Sequence, residues 1–412
     1  MYASAIRSPP FKRLSLIGIP HAFRMPRLDF NVSQITRAKG EIKTQNDPIH
    51  PFSTFFENPL IFLKKRIHDM ELVSNPFKKV LKDLLMNPAY LASWKSGSFL
   101  RALEGVIDRF SPCRLCPRQC NAIRTDGETG FCGQGNRPRV ARVLPHFGEE
   151  PPLTGRFGAG AVFFSGCALH CVYCQNHQIS QENLGEEINT KDIAELFLEL
   201  QAKGCHNLDL VSPTPHLPFI FQALAIAIPR GLRIPIVYNT HGYLTSDVVD
   251  LLSGIVDIYL PDMKYGSEAS AKAFSMAPGY VAVNRSAVEQ IYHQAGPLDI
   301  GPYGIAQKGL LVRHLVLPNH AFETARVLEA LSRISTQIPL SLMAQYRPCH
   351  RAIRHPVLNR PITDLEYQQA LESARELGFE TLFIQCLESS DIYFPDFTRK
   401  DPFSHPDPAV FH

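Results

Sequence analysis

The stretch Ala161-Val-Phe-Phe-Ser-Gly-Cys167-Ala-Leu-His-Cys171-Val-Tyr-Cys174-Gln-Asn176 joins an apolar run to three cysteines spaced C-x3-C-x2-C. The run has no polar alternation, so it reads as a strand buried on both faces, the kind found in parallel sheets. With ten cysteines in 412 residues, such a triplet seldom arises by chance. A loop leaving the C-terminal end of a barrel strand lies at the mouth where barrel enzymes do their chemistry. Three thiolates on one short loop can hold three irons of a cubane cluster and leave the fourth iron without a protein ligand. Zinc is the competing metal, but a structural zinc asks for four ligands, which His170 or His177 would have to complete.

Downstream of this loop the pattern alternates. Apolar strands are predicted at 161–165, 208–211, 235–239, 256–260, 310–317 and 340–344, with amphipathic helices at 190–203, 219–228, 245–253, 268–294 and 321–335. Six βα units predict an α/β fold, either a partial (β/α)6 barrel or an open doubly wound sheet. A helix at 366–378 and a short strand at 381–386 extend it. Upstream, 76–110 reads as helical, with Val80, Leu81, Leu84 and Leu85 on one face and a second helix at 98–110. The segment 111–152 reads as irregular and is dense in Cys, Gly, Pro and Arg. The expected organisation is a basic extension at 1–75, a helical and Cys-rich module at 76–152, the barrel at 153–388 and a tail at 389–412.

Composition limits the alternatives. The chain is 45% apolar and 20% charged, and no apolar run reaches the length of a membrane helix. Residues 1–46 carry a net charge of +6, so the remainder carries −3 of the total +3. A body without basic excess removes the electrostatic case for nucleic acid. The proline-rich, arginine-rich start suits a disordered extension, a transit peptide or untranslated upstream sequence with Met25 or Met70 as the first residue. A long chain with clustered cysteines is no secreted disulfide scaffold. The expected location is the cytoplasm.

The triplet after the first of six barrel strands, with Tyr173 before its third cysteine, resembles the radical S-adenosylmethionine (SAM) superfamily. Within it, the segments Cys-Arg-Leu-Cys-Pro-Arg-Gln-Cys (113–120), His-Phe-Gly-Glu-Glu-Pro-Pro-Leu-Thr-Gly (146–155), Tyr-Asn-Thr (238–240) and Asp-Ile-Tyr-Leu-Pro-Asp-Met-Lys-Tyr (257–265) are similar to the uncharacterised family related to pyruvate formate-lyase activating enzymes. The resemblance spans 88–385 and implies a partial radical-SAM-type barrel. It implies that Cys167, Cys171 and Cys174 hold a [4Fe–4S] cluster whose open iron is chelated by SAM. One electron, from a reduced flavodoxin or ferredoxin-type donor, then cleaves SAM to methionine and a 5′-deoxyadenosyl radical that abstracts hydrogen from substrate. A glycyl-radical-type protein is the substrate the activating enzymes suggest. That family usually carries Gly where this chain has Asn319, a residue that also tolerates positive φ.

Asp262 and Lys264 follow the fourth strand at a spacing that points both side chains one way. In the activating enzymes a similar Asp-x-Lys contributes to cofactor binding; a rim ion pair is the plain alternative. Asn239 and Thr240 end the third strand and are candidates for the ribose. Arg313, within the fifth strand, must be paired or face the interior, and is a candidate for the cofactor carboxylate. His314 has the opposite parity and reads as structural. The turn after the second strand lacks the glycines many superfamily members carry there, so Ser212 or Thr214 would have to substitute. A second group, Cys113, Cys116, Cys120 and Cys132, has four ligands and suits structural zinc or a second iron–sulfur cluster. The competing class is a non-catalytic iron–sulfur electron carrier or sensor, which needs no cofactor pocket.

Overall fold

The computed structural model describes residues 87–301, 303–387, 389 and 394–403. The expected extension at 1–75, the helical face Val80–Leu85 and the end of the tail lie outside the described residues. The helices begin with α1 (Ala89–Ser96) and α2 (Ser98–Asp108), separated at Gly97 with φ 77°. They close the N-terminal end of the sheet. Ala89 N donates to Asp257 Oδ1 (2.6 Å), Tyr90 Oη to Ile234 O (3.0 Å), and Phe99 stacks on Phe221 at 5.8 Å.

The sheet then assembles in chain order. Its members are β1 (Arg139–His146), β2 (Ala159–Phe164), β3 (Glu186–Glu187), β4 (Leu208–Val211), β5 (Ile236–Thr240), β6 (Ile258–Pro261), β7 (Asp299–Ile300) and β8 (Ala306–Leu310). The run β2-β4-β5-β6-β8 is parallel; at one edge β1 pairs antiparallel with β2 and with the outermost β3, and at the other β7 pairs antiparallel with β8. A second sheet joins β9 (Val312–Leu315), β10 (Leu340–Met343) and β11 (Leu382–Ile384), all parallel. Strands β8 and β9 are two halves of one strand broken at Leu311. The first half pairs with β6, the second with β10, and a bridge between Asp262 and Arg313 carries the pairing across. Sequential order without a reversal excludes the doubly wound alternative, whose strand order turns back at a switch point. Phe163, Val211, Asn239, Arg313, Met343 and Gln385, drawn from or just past strands across both sheets, line a single cavity, so the sheet curves into a partial barrel.

Helices cover the outside: α3 (Thr190–Ala202), α4 (Leu217–Ala227), α5 (Ser246–Leu252), α6 (Glu268–Ser275), α7 (Tyr280–Ala295), α8 (Ala321–Ile334) and α9 (Asp364–Glu376). Strands β2, β4, β6 and β10 are buried along their whole length, which is why they carry no alternation. Two expectations need correction. The single helix read over 268–294 is α6 and α7, broken where Met276 and Gly279 take positive φ around Pro278. The segment read as irregular contains β1. Its Pro145, opposite Gly160, lies beyond the two residues paired with β3, so its missing N–H meets no ladder partner. Asn319 adopts φ 61°, the conformation expected of it. No described helix is long and apolar enough to cross a membrane.

One buried carboxylate sets the position of α6. Glu323 on α8 accepts from Gly266 N (2.6 Å), Ser267 N (2.9 Å) and Ser270 Oγ (2.8 Å), gathering the donors at the start of α6. Glu323→Ala strands two backbone amides and two hydroxyls in a site that is 2% exposed. It is expected to cost about 3 kcal/mol in chemical denaturation; a loss under about 1 kcal/mol would mean that water replaces the carboxylate.

Candidate active site

The cysteine loop begins at Gly166, with φ 80°, where a Cβ would lie 2.6 Å from Cys132 O and 2.5 Å from Gln134 Nε2. Only glycine lets the loop turn this close to the upstream segment. The loop is pinned along its backbone. His170 N donates to Ser275 O (3.2 Å) and Val172 N to Phe274 O (2.8 Å), both at the C-terminus of α6. From the other side Ala352 N donates to Val172 O (2.9 Å) and Cys349 Sγ to Tyr173 O (3.2 Å). Cys349, isolated in sequence, therefore supports the loop.

Each sulfur of the triplet has a hydrogen-bonding neighbour. Leu169 N donates to Cys167 Sγ (3.4 Å), Ser275 Oγ to Cys171 Sγ (2.9 Å), and Ser180 Oγ lies 3.2 Å from Cys174 Sγ. Tyr173 Oη bonds Tyr265 Oη at 2.7 Å, and Tyr265 continues to Ser275. Burial pushes all three thiols up, Cys174 to about 11, while Lys264 pulls each of them down. Lys264 Nζ is 2.6 Å from Asp262 Oδ2. Burial works against the ammonium, but Asp262 and Cys171 outweigh it and raise its pKa.

Cys167, Cys171, Cys174, Tyr173, Asn239, Asp262, Lys264 and Arg313 all line one cavity. Ser212 joins them with φ 56°, a glycine-like conformation at the turn that lacks glycine. Thr214 instead bonds Tyr238 Oη (2.8 Å) and faces a different cavity. Arg313 lines the cavity and is paired, as a charge within a strand must be. Its guanidinium is gripped by Glu150, at 2.8 Å from Nε and 2.6 Å from Nη2, and also bonds Glu149. The cation thus answers the chain's own acids. Asn239 Nδ2 reaches Asp209 Oδ2 at 3.4 Å. Burial and the neighbouring Glu149 raise the Asp209 pKa well above the carboxylate range, whereas Arg313 overcomes burial to lower that of Glu149. His314 is structural, bonded to Met263 O (2.6 Å) and Thr324 Oγ1 (3.0 Å).

Sequence reasoning missed Ser180, Ser275, His241 and Asp209 as parts of this site. Ser275 is 104 positions from Cys171, and nothing local marks it. Asp209 carried a signal, an acid inside an otherwise apolar strand. The upstream cysteines 113, 116, 120 and 132 line a second cavity with Arg118 and Arg124. Neither His170 nor His177 groups with the cysteine sulfurs among the described residues, although His177 Nδ1 lies 3.2 Å from the Cys174 carbonyl oxygen. His170 stacks on Phe131, and His177 groups with Glu182 and His350.

A model of the Radical SAM superfamily matches residues 161–289. The uncharacterized protein MJ0674 of Methanocaldococcus jannaschii is 30% identical over 284 residues, 66% of this chain and 77% of that protein. A second protein of that organism, MJ0808, is 28% identical over 168 residues, covering 36% and 48%. Among solved structures, Streptococcus suis SuiB bound to S-adenosylmethionine is 10% identical with a TM-score of 0.39, over 54% of this chain and 49% of that one. The anSMEcpe structure with bound AdoMet and a Cp18Cys peptide is 13% identical with a TM-score of 0.39, over 53% and 60%. The chain thus spans about half the length of SuiB.

Hydrogen bonds to cluster sulfurs help set reduction potential. In protein reconstituted with iron and sulfide, Ser275→Ala should lower the potential of a cluster held by Cys171, read by redox titration with electron paramagnetic resonance. An unchanged potential would mean that the hydroxyl serves Tyr265 alone.

Proposed function

This chain belongs to the radical SAM superfamily, and from that premise we propose that Cys167, Cys171 and Cys174 hold its [4Fe–4S] cluster and that SAM binds in the cavity they line. The observation that carries this reading is the shared wall. Three sulfurs with hydrogen-bonding neighbours, and a half-buried ammonium–carboxylate pair, face the same cavity. The three sulfurs do not all lie within 4.8 Å of one another. Around a single zinc, thiolates stand about 3.8 Å apart, the tetrahedral edge for a Zn–S bond of about 2.3 Å. Thiolates that bind separate irons stand farther apart, so the donor set fits a cluster.

When bound, the cluster and SAM supply a one-electron cleavage that yields a 5′-deoxyadenosyl radical. The chain's own residues prepare the space. Lys264 and Asp262 offer one charge each to the carboxylate and ammonium of the amino-acid end of SAM. The Tyr173–Tyr265–Ser275 chain holds the loop rigid, and the buried walls keep water from reactive species. Asn239 and Thr240 end β5 beside this pair and suit the ribose. Asp209, whose pKa burial and Glu149 raise, and the Arg313–Glu149–Glu150 group form the polar interior below, where a substrate group entering the barrel would be met. We read the enzyme as an activating-enzyme-like oxidoreductase acting on a glycyl-radical-type protein, with reduced flavodoxin or ferredoxin as electron donor. The likeness of segments 146–155 and 257–265 to the activating enzymes supports this. An electron carrier or sensor has no use for a charged pocket beside its cluster.

Reduced, reconstituted protein incubated with SAM should release 5′-deoxyadenosine, and Cys171→Ala should abolish it. Full turnover in that variant would refute the cluster assignment. Lys264→Ala should weaken SAM binding by roughly 1.5–3 kcal/mol, the worth of a charge-assisted hydrogen bond. An unchanged dissociation constant by calorimetry would leave Lys264 as the partner of Asp262 only.

A further inference from the structure

We propose that Cys113, Cys116, Cys120 and Cys132 hold a second [4Fe–4S] cluster, on the far side of the Cys167–Leu169 backbone from the first site. The four cysteines are brought onto one cavity by a loop that turns back on itself. Cys113 N donates to Ala122 O (3.0 Å) and Asn121 N to Cys113 O (3.1 Å), which sets the first and third cysteines side by side. Gln119 and Asn121 take positive φ on either side of Cys120, and Gly133 does so after Cys132. Gly130 passes so close that a Cβ there would sit 2.9 Å from Cys120 Sγ.

The charge of the cavity wall points to an anionic occupant. Arg124 is completely buried. Its Nε donates to Gly135 O (2.8 Å) and its Nη1 to Pro215 O (2.8 Å), while Nη2, with under 1 Å² exposed, has no hydrogen-bond partner. Arg118 also lines the cavity, its guanidinium 3.7 Å from the Phe131 ring centre. Neither arginine forms an ion pair with a described carboxylate. A buried cation without an anion is strongly unfavourable, and four metal-bound thiolates supply the missing charge. Burial raises the thiols of Cys113 and Cys132, and Arg124 opposes it at both.

The looser grouping of these sulfurs, together with the cationic wall, favours a cluster over the other metal that takes four thiolates. Zinc would draw all four sulfurs to about 3.8 Å from one another. Among the described residues, the group whose ligand atoms lie within 4.8 Å of one another is His177, Glu182 and His350, and no three of these cysteines meet that limit. A four-iron cluster gives each thiolate its own iron and needs the wider cage. The two sites share a wall: Ala168 lines this cavity, while Cys167 and Leu169 line the first. Arg118 Nε donates to Ala168 O at 3.0 Å.

Metal and sulfide analysis of the anaerobically reconstituted full chain tests this. About eight irons and eight sulfides per chain are expected, with no stoichiometric zinc. Cys116→Ser should remove about four irons and leave about four, with a Mössbauer spectrum of the remaining cluster matching the triplet's. Cys171→Ala should remove the other four. These losses are independent, so loss of iron in Cys116→Ser but not in Cys171→Ala would sink the triplet assignment and leave this one standing. Four irons with one zinc lost in Cys116→Ser would overturn the proposal, as would four irons with alkylatable thiols at positions 113, 116, 120 and 132. If Cys116→Ser fails to fold, the iron, zinc and sulfide content of the unmodified chain decides the matter by itself.

Discussion

The grip of the α6 C-terminus on the cysteine loop is the contact on which the rest of the mouth depends. Phe274 and Ser275 offer their carbonyls to Val172 and His170, and the Ser275 hydroxyl reaches Cys171. A helix C-terminus has carbonyls to spare, and here the loop amides use them. The loop thereby inherits the position of α6, and α6 is itself held at its start by Glu323. A short segment with little regular structure of its own is as well placed as the helix it hangs from.

Burial makes each charge in the barrel conditional on its neighbours. Burial works against the Lys264 ammonium, but Asp262 and Cys171 outweigh it and raise its pKa. Arg313 sits within the half-buried strand β9 because Glu149 and Glu150 meet it, and burial and Glu149 raise the pKa of a third acid, Asp209. One cation cannot hold three acids ionised in a medium of low dielectric. The interior therefore presents an acid with a raised pKa and a compensated arginine near the sulfurs, and the Lys264–Asp262 ion pair beside them.

The segment before the barrel is woven into this arrangement. The Cys132 carbonyl and the Gln134 side chain pack against Gly166, and Arg118 reaches the carbonyl of Ala168 inside the cysteine loop. The two sets of cysteines are in physical contact through a few backbone atoms. A change of shape at one loop is felt at the other, because close-packed atoms leave no slack between them.

Much of this could be read in the chain before it was folded. The parallel strands were legible because burial on both faces leaves mostly apolar runs without strict polar alternation, most clearly Ala161-Val-Phe-Phe164. The triplet was legible because three cysteines placed on one short loop are necessarily close in sequence. The Asp-x-Lys pair announced itself by charge at a strand end. Strand β1 escaped notice because a proline and scattered arginines break the pattern of an edge strand, whose identity comes from β2 beside it. The partners of Arg313 and the serine donors to the sulfurs were likewise decided only by the tertiary structure. A hydrogen bond acts across 3 Å of space whatever the distance along the chain, and nothing in the residues around Ser275 records that Cys171, 104 positions away, lies next to it.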